Sequence, residues 1–391
     1  MKRILFVDDE QDLLDGLRNA LRRERKRWEL RFAAGGEAAL QEMEREPFDV
    51  VVSDMRMPGM DGLTFLAMVQ QRYPLVVRIV LSGHADLASV VRASTIAHQY
   101  LLKPCEPDVV SGVIERALEI QGVLASEHLR NIVGGLGTLP TRPAMYEALT
   151  RALGDPAVEV RKLAAIVIQD VGLSARVLQL VNSAYCGLTH RVSSIEAAIT
   201  LLGLNTLRHL ALTSEVFKAF GGQGGHDMEQ LERHAALTAR IAHRLASGTK
   251  EREVAFSAGL LHDAGKLVIL SRAPESIRGA LLLAEESGLS ALAAEREVFG
   301  ATHAEIGAYL LGLWDLPHTI LEPVAYHHAV DRIGRRGLDV VTMVALADLL
   351  AYEVASPPGS ARQALEAFTG LGDVESWRVM AQEEARTSAL P

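Results

Sequence analysis

Cysteine is scarce: Cys105 and Cys186 are the only two in 391 residues, and they lie far apart. A disulfide framework is excluded, and a reducing cytosol is the natural compartment. An excess of positive charge is also missing. With 40 Lys and Arg against 49 Asp and Glu, the formal net charge is -9. An extended nucleic-acid footprint is not expected, because phosphate contacts need clustered cations. One basic run exists, Arg22, Arg23, Arg25, Lys26 and Arg27. It closes a predicted helix, where cations complement the negative end of the dipole, and it reads as a solvated helix end. No helix-turn-helix pattern sits beside a basic recognition helix, so direct DNA binding is not expected. No stretch approaches the roughly 18 apolar residues that read as a bilayer span. The opening Met1 to Glu10 has too short an apolar run for a signal peptide, and three acids close it, so it reads as a buried strand. These absences predict a cytoplasmic chain without a membrane partner.

What is present is the balance of an ordinary globular protein, 49% hydrophobic and 23% charged. Its length exceeds one typical hydrophobic core and predicts two domains. In the first third, short apolar or β-branched runs at 4–7, 50–53, 77–81 and 100–102, with a weaker one at 30–33, alternate with amphipathic stretches at 13–25, 37–46, 63–72 and 87–93. That alternation predicts a doubly wound, flavodoxin-like α/β domain with five parallel strands. From about Asp108 the strand signal vanishes. A long helix is expected to run through Leu124 towards Leu129, and the Gly- and Pro-bearing segment 134–140 then breaks it. Helix follows helix thereafter, with flexible loops at 221–225 and 356–359. The expected division is 1–122 for the α/β domain, 123–137 for a helical linker, 138–352 for an all-helical domain and 353–391 for a helical extension.

The polar residues of the first domain fall at the carboxyl ends of the predicted strands, where such sheets place their sites. Asp8 and Asp9 follow the first strand, Asp54 the third, Ser82 the fourth and Lys103 the fifth. Crowded carboxylates call for a cation, and Mg²⁺ with oxygen ligands suits Asp9, Asp54 and a backbone carbonyl. A nearby lysine and hydroxyl can hold the remaining oxygens of a phosphoryl group. The segments Val7-Asp8-Asp9-Glu10, Ser53-Asp54-Met55-Arg56-Met57-Pro58-Gly59-Met60-Asp61-Gly62, Leu81-Ser82-Gly83 and Leu102-Lys103-Pro104 resemble the receiver domain of two-component response regulators. The resemblance implies Asp54 as acceptor of a phosphoryl group from a sensor histidine kinase. It implies Mg²⁺ on Asp8, Asp9, Asp54 and the carbonyl of Arg56. Ser82 and Lys103 would hold the phosphoryl group, and Tyr100 would act as the switch aromatic.

In the second domain the candidate ligands are His234, His262, Asp263, His303, His327, His328 and Asp348. His234 lies on or beside the apolar stripe of its helix by 3.6-residue periodicity. Buried imidazoles need a hydrogen-bond partner or a metal. Gly259-Leu260-Leu261-His262-Asp263-Ala264-Gly265-Lys266 sets a His-Asp pair directly after an apolar run, an arrangement that suits a first-row metal such as Fe, Mn or Zn. A polar network without metal is the alternative. This half also contains Leu139-Pro140, Leu180-Val181-Asn182-Ser183-Ala184-Tyr185, Ser193-Ser194-Ile195-Glu196-Ala197-Ala198-Ile199 and Leu202-Gly203-Leu204. With those segments it resembles the HDOD domain, a branch of the HD superfamily.

That resemblance implies a regulatory output module, acting on a protein partner or through homodimerisation. The catalytic relatives of HDOD domains, the HD-GYP phosphodiesterases, hydrolyse cyclic di-GMP at a two- or three-metal centre. By comparison with them Lys266 would meet a substrate phosphate, and a phosphorylation-gated, metal-dependent phosphohydrolase is the alternative function. The sequence departs from those enzymes at three places. The Gly-Tyr-Pro signature is absent after the His327-His328 doublet, Ala329 stands where they carry a glutamate, and Gln230 where they carry a further carboxylate.

Overall fold

The computed structural model describes residues 1–83, 93, 96–121, 130, 133–134, 136, 139, 143–155, 158–182, 191–212, 225–329, 337–357 and 359–388. The predicted helix at 87–93 (apart from Ala93), most of the 123–137 linker and the loop before Gly225 lie outside those residues.

Five strands, β1 (Lys2–Asp8), β2 (Trp28–Ala34), β3 (Val50–Ser53), β4 (Val77–Ser82) and β5 (Gln99–Leu102), form one sheet in the order β2-β1-β3-β4-β5. Every pairing is parallel. This is the flavodoxin-like order, which places all strand carboxyl ends on one edge. The helices α1 (Gln11–Ala20), α2 (Gly36–Arg45) and α3 (Gly62–Arg72) supply the first three crossovers, and α4 (Pro107–Gln121) follows the last strand. Successive strand side chains point to opposite faces, so two apolar layers result. Leu5, Val7, Val51 and Val80 meet Leu40, Phe65, Leu66 and Val69 of α2 and α3. Ile4, Phe6, Val52 and Ile79 meet Leu14 of α1 and Val110, Val113 and Ile114 of α4. Each fully buried aliphatic side chain contributes roughly 1.5–3 kcal/mol over its exposed state.

The rest is helical. In order come α5 (Pro143–Leu153), α6 (Val160–Val167), α7 (Val171–Asn182), α8 (Ile195–Leu212), α9 (Gly225–Leu245), α10 (Arg252–Leu261) and α11 (Ala264–Arg272). They are followed by α12 (Pro274–Ser287), α13 (Ala291–Phe299), α14 (His303–Leu313), α15 (His318–Tyr326), α16 (Val340–Ala355), α17 (Arg362–Glu366) and α18 (Val374–Ser388). The break expected between two helices at Gly203 is present within the α8 span, where Gly203 takes a non-helical backbone (φ 74, ψ 161).

The expectation that no segment is apolar enough to span a bilayer needs a correction. Arg252–Arg272 meets that measure, with mean hydropathy 1.3, but 78% of its window is buried inside the fold. It is two core helices, α10 and α11, meeting at His262-Asp263. The apolar layer between α4 and the sheet continues without a break into the helical half, through Leu310, Leu311, Leu313 and Trp314.

Candidate functional site

Two polar clusters stand out. The first lies at the carboxyl edge of the sheet. Asp8 ends β1 and Asp54 follows β3, both buried. Lys103, one residue past β5, reaches back so that its Nζ donates to Asp8 Oδ2 at 2.5 Å and Asp54 Oδ1 at 2.8 Å. The other Asp54 oxygen, Oδ2, accepts the Arg56 amide at 2.6 Å, and Asp8 Oδ1 accepts the Glu10 amide at 3.0 Å. Burial pulls the Lys103 amine down, but its bonds to Asp54 and Asp8 outweigh that and hold it above the ordinary lysine value. Ser82, the last residue of β4, is buried, and so is Tyr100 in β5. Asp9 lies one residue beyond β1 and is exposed, as is Arg56. Two carboxylates converging on one cation are a donor set that a hard divalent ion fits.

The second cluster is assembled from six helices and lies inside the helical half. His262 caps α10, and its Nδ1–H donates to the Gly259 carbonyl at 2.7 Å. His327 caps α15 in the same manner, donating from Nδ1 to the Val324 carbonyl at 2.8 Å. His303 opens α14, and its Nδ1 bonds Glu295 at 2.8 Å. In each ring the Nδ1 is anchored outward, which turns Nε2 towards the centre. That is how metal-binding imidazoles are held. The Nε2 atoms of His262 and His327 are buried without a well-formed hydrogen bond, although His262 Nε2 lies 3.4 Å from Asp263 Oδ2 and 3.6 Å from Asp348 Oδ1. His303 Nε2 lies 3.1 Å from Asp263 Oδ1 and 3.2 Å from His328 Nε2. His234 Nε2 sits 2.9 Å from Asp348 Oδ1.

Three overlapping donor sets result: His303, His327 and His328; His234, His262 and Asp348; and His262, Asp263 and His327. Within each set the ligand atoms lie within 4.8 Å of one another. All seven sequence-predicted ligands therefore meet in one place, although His234 and Asp348 are 114 residues apart. Orphaned buried Nε2 atoms beside carboxylates fit a transition metal with mixed nitrogen and oxygen ligands.

The electrostatics agree with that shape. Burial alone would lower His262, but Asp263 and Asp348 outweigh it and push the imidazole up to about 10. Burial would raise Asp263, but His262 and Lys266 hold it well below the carboxylate range. His328 is driven by burial down to about 4. Without metal, protons thus balance the acids.

Lys266, read from the sequence as a phosphate contact, donates to Asp263 Oδ2 at 2.7 Å, with its side chain 32% exposed. Gly265 explains how α11 and α14 come so close. A Cβ there would stand 1.9 Å from the His303 carbonyl oxygen, so only glycine permits the contact that sets His303 against Asp263.

Glu295 is the functional residue that sequence reasoning missed. Its carboxylate accepts both the backbone amide and the Nδ1 of His303 at 2.8 Å. It stands eight residues earlier, across the turn from α13 to α14, so helical periodicity does not link the two. Arg78 and His98 were missed as well. Both are buried, and Arg78 donates its own amide to His98 Nδ1 at 3.0 Å.

Comparison with known proteins matches this division of the chain. Residues 4–115 match the response regulator receiver domain and residues 139–330 match the HDOD domain. Among solved structures, the MmoQ response regulator of Methylococcus capsulatus is 25% identical. It covers 63% of this chain and 98% of its own, with a TM-score of 0.52. Among curated proteins, an uncharacterized protein of Treponema pallidum is 27% identical over 240 residues, 61% of this chain and 46% of that one. The hydrogenase transcriptional regulatory protein HoxA of Cupriavidus necator is 32% identical over 178 residues, 42% of this chain and 36% of that one. The chain thus spans under half the length of these two curated relatives. A doubly wound sheet with an acid-lysine edge is followed by helices around a His-Asp cluster, and each half matches its own profile. By that pairing the chain belongs to the response regulators that join an N-terminal receiver domain to a C-terminal HDOD domain.

Proposed function

We propose that a sensor histidine kinase phosphorylates Asp54 and that the HDOD helices serve as a regulatory, non-catalytic output acting on a protein partner or through self-association. The observation that carries the reading is Lys103, whose amine joins Asp8 to Asp54 at the sheet edge. In this reading Asp8, Asp9, Asp54 and the Arg56 carbonyl would hold Mg²⁺, which would supply positive charge opposite the phosphoryl oxygens. The Asp54 carboxylate takes the phosphoryl group. Lys103 and Ser82 then bind its free oxygens, and Tyr100 responds to the movement of Ser82. The receiver is assigned to 1–122, the linker to 123–137, the HDOD domain to 138–352 and the extension to 353–391, in a cytoplasmic protein that does not bind DNA directly.

In the HDOD half, His234, His262, Asp263, His303, His327, His328 and Asp348 would hold iron, manganese or zinc. Such an ion supplies Lewis acidity and a bound water where a substrate is also present. A phosphohydrolase acting on a cyclic dinucleotide is the second reading, favoured by the two orphaned imidazole nitrogens. Two features support the regulatory reading over it. Ala329 and Gln230 replace carboxylates of the catalytic relatives. Lys266 would also have to leave Asp263 to meet a phosphate.

The test is phosphoryl transfer from acetyl phosphate, read by intact mass, followed by partner capture or sedimentation. Wild type should gain one phosphoryl group and change its association, and Asp54→Ala should do neither. Association unchanged by phosphorylation would remove the regulatory reading. Metal-dependent cyclic dinucleotide hydrolysis that disappears in Asp263→Ala would establish the second one.

A further inference from the structure

Helix α14 begins in the metal cluster and ends on the receiver. Its first residue, His303, belongs to the cluster, and its eleven residues span about 16 Å at 1.5 Å per residue. At its far end, a Cβ on Gly312 would stand 3.0 Å from Ile120 Cδ1 of α4, so the receiver's last helix is packed against the α14 backbone. Gln99 of β5 reaches the Leu313 carbonyl at 3.4 Å in a buried contact. Just beyond the helix, Asp315 holds a left-handed backbone (φ 59) and is clasped from both sides. Arg116 of α4 approaches it at 3.6 Å, and Arg191 of the helical half hydrogen-bonds it.

A second strand joins this boundary. Arg78 of β4 is wholly buried and donates to the Val76, Ile96 and Gly134 carbonyls, tying the receiver to the residues that lead out of it. The strands at the boundary are therefore β4 and β5. Their opposite ends carry Ser82 and lead to Lys103, two residues assigned to the phosphoryl group.

Helix α14 has little slack. A capping box of Thr302 and Glu305 closes its start, Glu295 holds His303, and nine of its residues are buried. Packed interiors move as discrete rearrangements and transmit strain. The route crosses laterally from α4 and β5 into α14.

We propose that α14 couples the two sites, so that a phosphoryl group on Asp54 and a metal in the His-Asp cluster each alter the affinity of the other. This rests on reading Asp54 as the acceptor and the cluster as a metal site. Coupling of this kind is reciprocal, and its typical size is a 5- to 150-fold change in affinity, roughly.

The experiment uses the full chain in saturating Mg²⁺, with and without fluoroberyllate as phosphoryl analogue. Zn²⁺ affinity is measured by competition with a chelating dye, and the Asp263→Ala chain reports adventitious zinc. Fluoroberyllate should change the Zn²⁺ affinity by about 5-fold or more. The Gln99→Ala/Arg116→Ala double variant should bind both ligands but lose the dependence of one on the other. An unchanged Zn²⁺ affinity when fluoroberyllate is shown bound by fluorine NMR would overturn the proposal, and so would full coupling in the double variant. If no Zn²⁺ binds in either state, the metal reading fails separately. Amide hydrogen exchange over 303–313 then decides: a fluoroberyllate-induced change upholds the route through α14, and none overturns it.

Discussion

The two polar clusters of this chain solve the same problem, crowded acids, in opposite settings. In the receiver, Asp8 and Asp54 are held at the edge of a sheet whose backbone ladder exists without them, and one lysine balances both. In the helical half, Asp263 and Asp348 are buried among imidazoles that belong to the core itself. The first site is mounted on a scaffold, and the second is part of what holds six helices together. Changing a receiver residue should therefore alter chemistry more than stability, whereas changing a cluster residue should alter both.

The sharpest way to break the comparison is a matched pair of aspartate removals. Asp54→Ala should abolish phosphoryl uptake from acetyl phosphate while urea denaturation shifts by only about 1 kcal/mol or less, since Lys103 keeps Asp8. Asp263→Ala removes the buried carboxylate that faces the buried His262 and bonds the partly exposed Lys266. Breaking a buried pair in this way costs roughly 3–5 kcal/mol, and the same denaturation series reads it. Comparable losses in the two variants would erase the distinction between mounted and structural sites.

A smaller effect is expected from Glu295→Gln, which keeps the shape but weakens the hold on His303. Outer partners of this kind are worth roughly 10- to 100-fold in metal affinity, and zinc competition should show that loss with the fold intact. Wild-type affinity in this variant would reduce Glu295 to a packing role.

The most general effect is that of pH. His262 is held up to about 10 against an imidazole's ordinary value. Its proton therefore stabilises the metal-free fold fully below the ordinary range, near pH 6.5, and that contribution fades as pH rises through about 10. Metal needs the imidazole unprotonated, so zinc affinity should rise roughly tenfold per pH unit across the same window. Flat affinity between pH 6.5 and 8 would mean that the imidazole is already free of its proton.

The receiver pocket was readable because a parallel sheet converts chain order into position. Once strands are placed, Asp8, Asp54, Ser82 and the approach to Lys103 share an edge, and only side-chain directions are left open. The helical cluster yielded its ligands to residue type and apolar context, yet the sequence holds no rule that brings His234 to Asp348. Glu295 escaped because it acts across a turn between two helices, where periodicity carries no information. Arg78 escaped because an arginine inside a strand pattern reads as a surface residue, whereas here its guanidinium is satisfied by three carbonyls supplied by tertiary packing.

By itself the sequence pointed to an α/β part followed by a helical part, to the succession of strands and to the candidate ligands, since hydrophobic period, turn chemistry and residue type are local properties. Tertiary structure alone decided that the Nε2 atoms of His262 and His327 face inward, that Lys266 is engaged by Asp263, and that α14 runs from the cluster to the receiver. Those facts depend on where helices cross, and crossings are fixed by close approaches such as Gly265 on the His303 carbonyl, which link residues far apart in the chain.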